Sequence, residues 1–87
     1  MPEFFFHIQD GTSTPDLDGV ELKDISDAKC EAVKMAGRII CDASKEFWDR
    51  AEWQMTVTDD SGLTLFILDF VGTEAPASLT RVRPIAA

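Results

Sequence analysis

Eighty-seven residues leave room for one domain built on one core. Eight basic side chains stand against sixteen acidic ones, a net charge of -8, which opposes binding to nucleic acid and docking on anionic membrane. An apolar content of 45% is too high for a disordered chain, yet no stretch approaches the roughly 20 apolar residues that cross a bilayer.

Glu3 to Gln9 is expected to form a first strand, rich in aromatic and β-branched residues and closed by Asp10-Gly11 and Thr12-Ser13-Thr14-Pro15. Alternation places Phe4, Phe6 and Ile8 on one face and Phe5, His7 and Gln9 on the other. Gly19 to Lys23 is expected as a short second strand, antiparallel to the first. Asp24 or Ser26 then caps a helix, and Asp27 adds favourable charge to its first turn. Ile25, Ala28, Ala32, Ala36, Ile39, Ala43 and Phe47 recur at spacings of three and four, which predicts one long amphipathic helix to about Trp48 or Asp49. The connection that follows, Lys45 to Glu52, is charged and aromatic and holds neither Gly nor Pro.

Trp53 to Asp59 alternates again, Asp59-Asp60-Ser61-Gly62 reads as a hairpin turn, and Leu63 to Val71 as the returning strand. Pairing Asp59 with Leu63 sets Val57 against Leu65 and Met55 against Ile67. The expected fold class is therefore α+β, in the order β-β-α-β-β, with an antiparallel sheet and the helix packed across one face. Residues 1–72 form the domain, and 73–87 a flexible or partner-covering tail.

The combination of Phe5-Phe6-His7, Asp10-Gly11, Asp18-Gly19-Val20-Glu21-Leu22, alanines at 28, 32 and 36, and Trp53-x-x-x-Val57-x-Asp59-x-x-Gly62 resembles a domain-of-unknown-function family of short bacterial proteins, alphaproteobacterial in type. The resemblance covers about Met1 to Gly72. It implies a fold and a bacterial cytoplasmic setting, and it carries no catalytic residues across. The N-terminal Met1-Pro2-Glu3 lacks the basic region of a signal peptide, which agrees with a cytoplasmic expectation.

No catalytic, cofactor-binding or metal-ligating set is expected. Cys30 and Cys41 on one helix stand about 16 Å apart along its axis, beyond disulfide reach, and two thiols alone make no zinc site. His7 is the single histidine, with Glu3 and Asp10 as its nearest carboxylates in sequence; it reads as an outer-face strand residue near Phe5 and Phe66. An EF-hand with its glycine at Gly19 would begin at Thr14 and end at Ile25, neither of which supplies a carboxylate. A looser cation site on Asp16, Asp18 and Glu21 stays an alternative to a solvated loop capping the helix.

Two surfaces are left for a partner. Along the helix, Cys30, Gly37, Cys41 and Trp48 fall within about 40° of one another, away from the core face. On the sheet's outer face, Phe5, His7, Phe66 and Leu68, with Phe70, would make an apolar patch. These point to a non-enzymatic protein-interaction module that self-associates as a homodimer. The alternatives are an antitoxin-like protein that masks a partner, and a small enzyme using His7 with a nearby carboxylate.

Overall fold

In a computed structural model, residues 1–75 are described, and the expected tail lies outside them from residue 76 onward. Strand β1 (Glu3–Gln9) lies centrally and runs antiparallel to β4 (Glu52–Thr58), which in turn pairs antiparallel with β5 (Thr64–Val71). The other edge of β1 is met by two short strands, β2 (Ser13–Thr14) opposite Ile8 and Gln9, and β3 (Val20–Glu21) opposite Glu3 and Phe4. The five strands form one antiparallel sheet with β2-β1-β4-β5 as its path and β3 beside β1. Helices α1 (Ile25–Asp42) and α2 (Ser44–Arg50) fall between β3 and β4.

The α+β class and the antiparallel sheet agree with the expected fold, and the element order differs in two places. The segment assigned to turn chemistry contains β2, because Asp10-Gly11 turns the chain tightly enough for Ser13 and Thr14 to return along β1. The single long helix is two helices. Ala43, at φ -121° and ψ 40°, leaves helical geometry even though its N–H bonds Ile39 and its carbonyl accepts from Phe47. The bend brings Phe47 and Trp48 against Gly72, where an added Cβ would stand 2.7 Å from Trp48 Cζ3 and 3.1 Å from Phe47 Cε2. A side chain at position 72 would force the Trp48 ring to shift.

Asp24 is the cap of α1: its carboxylate accepts the Asp27 N–H at 2.9 Å, and Ser26 lies inside the helix. Ala28, Ala32 and Ala36 are fully covered, facing Phe4, Phe6, Trp53, Met55 and Val57 of the sheet. Three methyl-sized side chains on one stripe let the helix axis come close, and the space is filled from the sheet by larger groups.

The returning strand corrects the expected register. The Asp59 N–H bonds the Leu63 carbonyl, as the turn requires, and Gly62 sits at φ 87° in the left-handed region. A bulge then intervenes: Thr58 pairs with Thr64, but Val57 pairs with Phe66 and Met55 with Leu68. Leu65 is the extra residue. One inserted residue reverses the facing of every later side chain. Phe66, Leu68 and Phe70 therefore pack against the core beneath the helices, not on the outer face, while Ile67, Asp69 and Val71 turn outward.

Helix α2 ends at Ala51, whose φ of 61° places a non-glycine residue in the left-handed region where its N–H closes on the Phe47 carbonyl. A Cβ there costs roughly 1–2 kcal/mol. Ala51→Gly removes that cost, partly offset by a more flexible unfolded chain. The expected result is a stability gain of about 0.5–1 kcal/mol in urea denaturation; a lowered midpoint would contradict the assignment.

Candidate interaction surfaces

Between the pairs Phe4–Val20 and Ile8–Thr14, the ladder along the outer edge of β1 is interrupted, and Asp16 fills the gap. Its Oδ2 accepts the Phe6 N–H at 3.1 Å, and its Oδ1 accepts the N–H groups of Asp18 at 3.0 Å and Gly19 at 3.2 Å. Partial burial raises the Asp16 pKa, but the three N–H groups more than offset this and hold it below its ordinary 3.8. Asp59 is likewise held low in the hairpin turn, first by the Ser61 hydroxyl and then by the N–H groups of Leu63 and Ser61.

The same loop fixes His7. The Asp16 N–H donates to Nδ1 at 3.1 Å, and Nε2 lies 3.0 Å from Thr58 Oγ1. A backbone N–H is a donor only, so Nδ1 holds the lone pair and Nε2–H donates to Thr58. This tautomer directs a proton at the hydroxyl, whereas a general base needs a free lone pair there. The carboxylate in the cluster is Asp16, with both oxygens engaged by backbone; Asp10 instead accepts the Thr12 hydroxyl at 3.3 Å. Among the described residues, no group of three or more His, Cys, Asp or Glu is arranged to hold a metal ion.

Phe5 and His7 share the outer face as alternation predicts, with their rings stacked at 6.4 Å. Phe5 is half-buried. The Asp16–Gly19 loop folds over it so closely that a Cβ on Gly19 would meet the ring at 2.8 Å. Phe66 and Leu68, expected beside them, are on the opposite face. Lys29 of α1 lies over the Phe66 ring at 6.0 Å.

The helix stripe is also divided. Cys30, Gly37 and Cys41 are exposed on α1, both thiols are free, and a Cβ on Gly37 would meet nothing within 4 Å. Trp48 belongs to α2, beyond the bend, and the helical phase that aligned it with the cysteines ends at Asp42. It stands 51% exposed against the end of β5.

Exposed apolar side chains gather instead along β5. Ile67 is 52% and Val71 70% exposed on the outer face, Leu63 stands open at the turn, and Trp48 flanks Gly72. Among the described residues the outer edge of β5 has no partner strand. The parity shift at Leu65 is what exposes Ile67, so simple alternation points to the wrong residues.

Two depressions lie on the surface of the described residues. A cavity of about 40 Å³ lies among Ile39, Ile40, Ala43, Phe47 and Trp53, rimmed by Asp10, Glu46, Arg50 and Glu52. That is room for about one water, against the 300 Å³ or more of a small-molecule site. The Trp53 Nε1–H nearby is buried without a hydrogen-bond partner among the described residues, while the ring meets Phe70 edge-on at 5.8 Å. The second depression is an open, mainly polar groove of about 460 Å³ at the Gln9–Gln54–Asp69 row, within the size range of a small-molecule site but exposed to solvent along its length, where Gln54 donates to Asp69 at 2.8 Å. No helix among the described residues is long and apolar enough to cross a membrane.

Residues 3–72 match the family model described as a domain of unknown function, DUF6894, and the chain belongs to that family. No curated protein and no solved structure matches the chain.

Asp16 and Asp59 both have folded pKa values below the unfolded 3.8. Their charged forms therefore favour the folded state: the contribution is complete above the unfolded value and is lost as pH falls through the folded one. Urea denaturation between neutral pH and pH 2 is expected to show stability declining below about pH 4. Asp16→Asn is expected to shallow that decline, and an unchanged slope would remove Asp16 from the account.

Proposed function

We propose that the domain is a non-enzymatic interaction module, working in the bacterial cytoplasm, whose contact surface is the β5 edge with Trp48 beside it. The observation that carries this reading is the collection of Ile67, Val71 and Trp48, each at least half exposed, along a sheet edge without a partner strand among the described residues. An open edge offers unpaired N–H and carbonyl groups to an extended segment, and flanking side chains supply selectivity. A half-exposed tryptophan is the residue type most often found to dominate contact energy. The His7 tautomer supports the non-enzymatic part, since its ring serves to fasten the Asp16 loop to Thr58.

The helix stripe is a weaker candidate. Cys30, Gly37 and Cys41 present little apolar area, and the bend at Ala43 separates them from Trp48. Partner masking of the antitoxin kind would use the same β5 surface and differs only in the identity of what is bound.

A photo-crosslinking amino acid placed at position 67 in living cells is expected to give protein adducts, to another copy or to a different protein. The same group at Cys30 or Leu17 is expected to give few. Adducts from position 30 with none from position 67 would contradict the reading.

A further inference from the structure

We infer that β5 is the seam of a symmetric homodimer, its Thr64–Val71 edge pairing antiparallel with the same strand of a second copy about a two-fold axis at Ile67. This rests on the reading of β5 as the contact surface and names its occupant.

The two edges of the sheet are treated differently. On the β1 side, β2, β3 and the Asp16 carboxylate occupy the edge, so the backbone there is already engaged. On the β5 side, eight consecutive residues form an edge without a partner among the described residues. Exposed edges in natural proteins are ordinarily blunted by lysine, proline or inward charge. Thr64 to Val71 contains no lysine and no proline, and its one bulge lies at the turn end.

Charge identifies a second copy as a tolerable occupant at this place. Two chains of net charge -8 repel over most of their surface. From Ser61 to Leu68 there is no ionisable side chain, and Asp69, the next, is already held by Gln54. The middle of β5 therefore brings no charged side chain of its own to the seam.

The strand is also self-complementary about its centre. A two-fold at Ile67 sets Ile67 against Ile67, Phe66 against Leu68, Leu65 against Asp69 and Leu63 against Val71. The outward Ile67 side chains meet at the axis, and each covers part of the other's exposed surface. Phe66 and Leu68 extend the core-side apolar row across the seam. The two Asp69 carboxylates fall four positions apart along the strand, about 13 Å. A two-fold interface requires this kind of self-matching patch.

Sedimentation equilibrium on the full chain is expected to give twice the 9.6 kDa monomer mass at micromolar concentration. Ile67→Lys is expected to weaken association at least about tenfold while leaving the far-ultraviolet circular dichroism unchanged. If that variant unfolds, a second variant decides the matter. With Cys30→Ser and Cys41→Ser as background, Ile67→Cys is expected to form an interchain disulfide rapidly under mild oxidation, because directly opposed strand positions bring Cβ atoms within bridging range. Val33→Cys in the same background, on the exposed face of α1, is expected to stay reduced.

A chain that stays monomeric into the millimolar range would overturn the homodimer, as would a dimer that crosslinks through position 33 and not 67. If position 67 gives adducts only to a different protein, or only to the C-terminal residues of its own chain, the second copy is the wrong occupant. The first of those outcomes leaves the contact surface standing; absence of any adduct at position 67 would remove both.

Discussion

The pairing of β4 with β5 is the constraint on which the rest of the structure depends. In a half-buried antiparallel strand, facing has a period of two, so one added residue decides which side chains enter the core. The bulge at Leu65 makes that decision here. It sends Phe66, Leu68 and Phe70 beneath the helices to join Trp53, Met55 and Val57, and it leaves Ile67 and Val71 outside. The core and the exposed edge are thus two consequences of one insertion. Had the strand run without it, Ile67 would lie under the helix, and three bulky aliphatic and aromatic groups would face water.

A second constraint acts at the opposite edge. Asp16 replaces a missing strand residue by offering one carboxylate oxygen to the Phe6 N–H, which the short strands β2 and β3 leave unpaired, and the other to the Asp18 and Gly19 N–H groups of its own loop. Its own N–H sets the His7 tautomer, and His7 passes the connection on to Thr58 in β4. One acidic side chain therefore links a loop, an edge and the neighbouring strand. That edge is closed by short-range interactions, whereas the edge of β5 has no partner strand among the described residues.

Much of this architecture was legible in the residue pattern, and its failures share one cause. The alternation of Phe4, Phe6 and Ile8, the spacing of Ala28, Ala32 and Ala36, and the Asp59–Gly62 turn each express a local period or local turn chemistry, so sequence suffices to read them. The bulge at Leu65 breaks a period without changing composition, because Leu65 to Leu68 is apolar in either register. The bend at Ala43 leaves the helical spacing of Ile39, Ala43 and Phe47 intact; it accompanies the approach of α2 to Gly72, a contact across 24 positions or more. Asp16 looked like one of several acidic loop residues, and its role depends on where β1 lies. The outer-face location of Phe5 and His7 followed from alternation, whereas the loop that covers Phe5 did not.

The β4–β5 register therefore decides both the core and the exposed edge, and proton NMR reads that register directly. Cross-strand nuclear Overhauser contacts are expected to join Met55 to Leu68 and Val57 to Phe66, with a break in the pattern at Leu65. Contacts joining Met55 to Ile67 and Val57 to Leu65 would contradict it. They would turn Ile67 into the core and dissolve the surface on which the function has been placed.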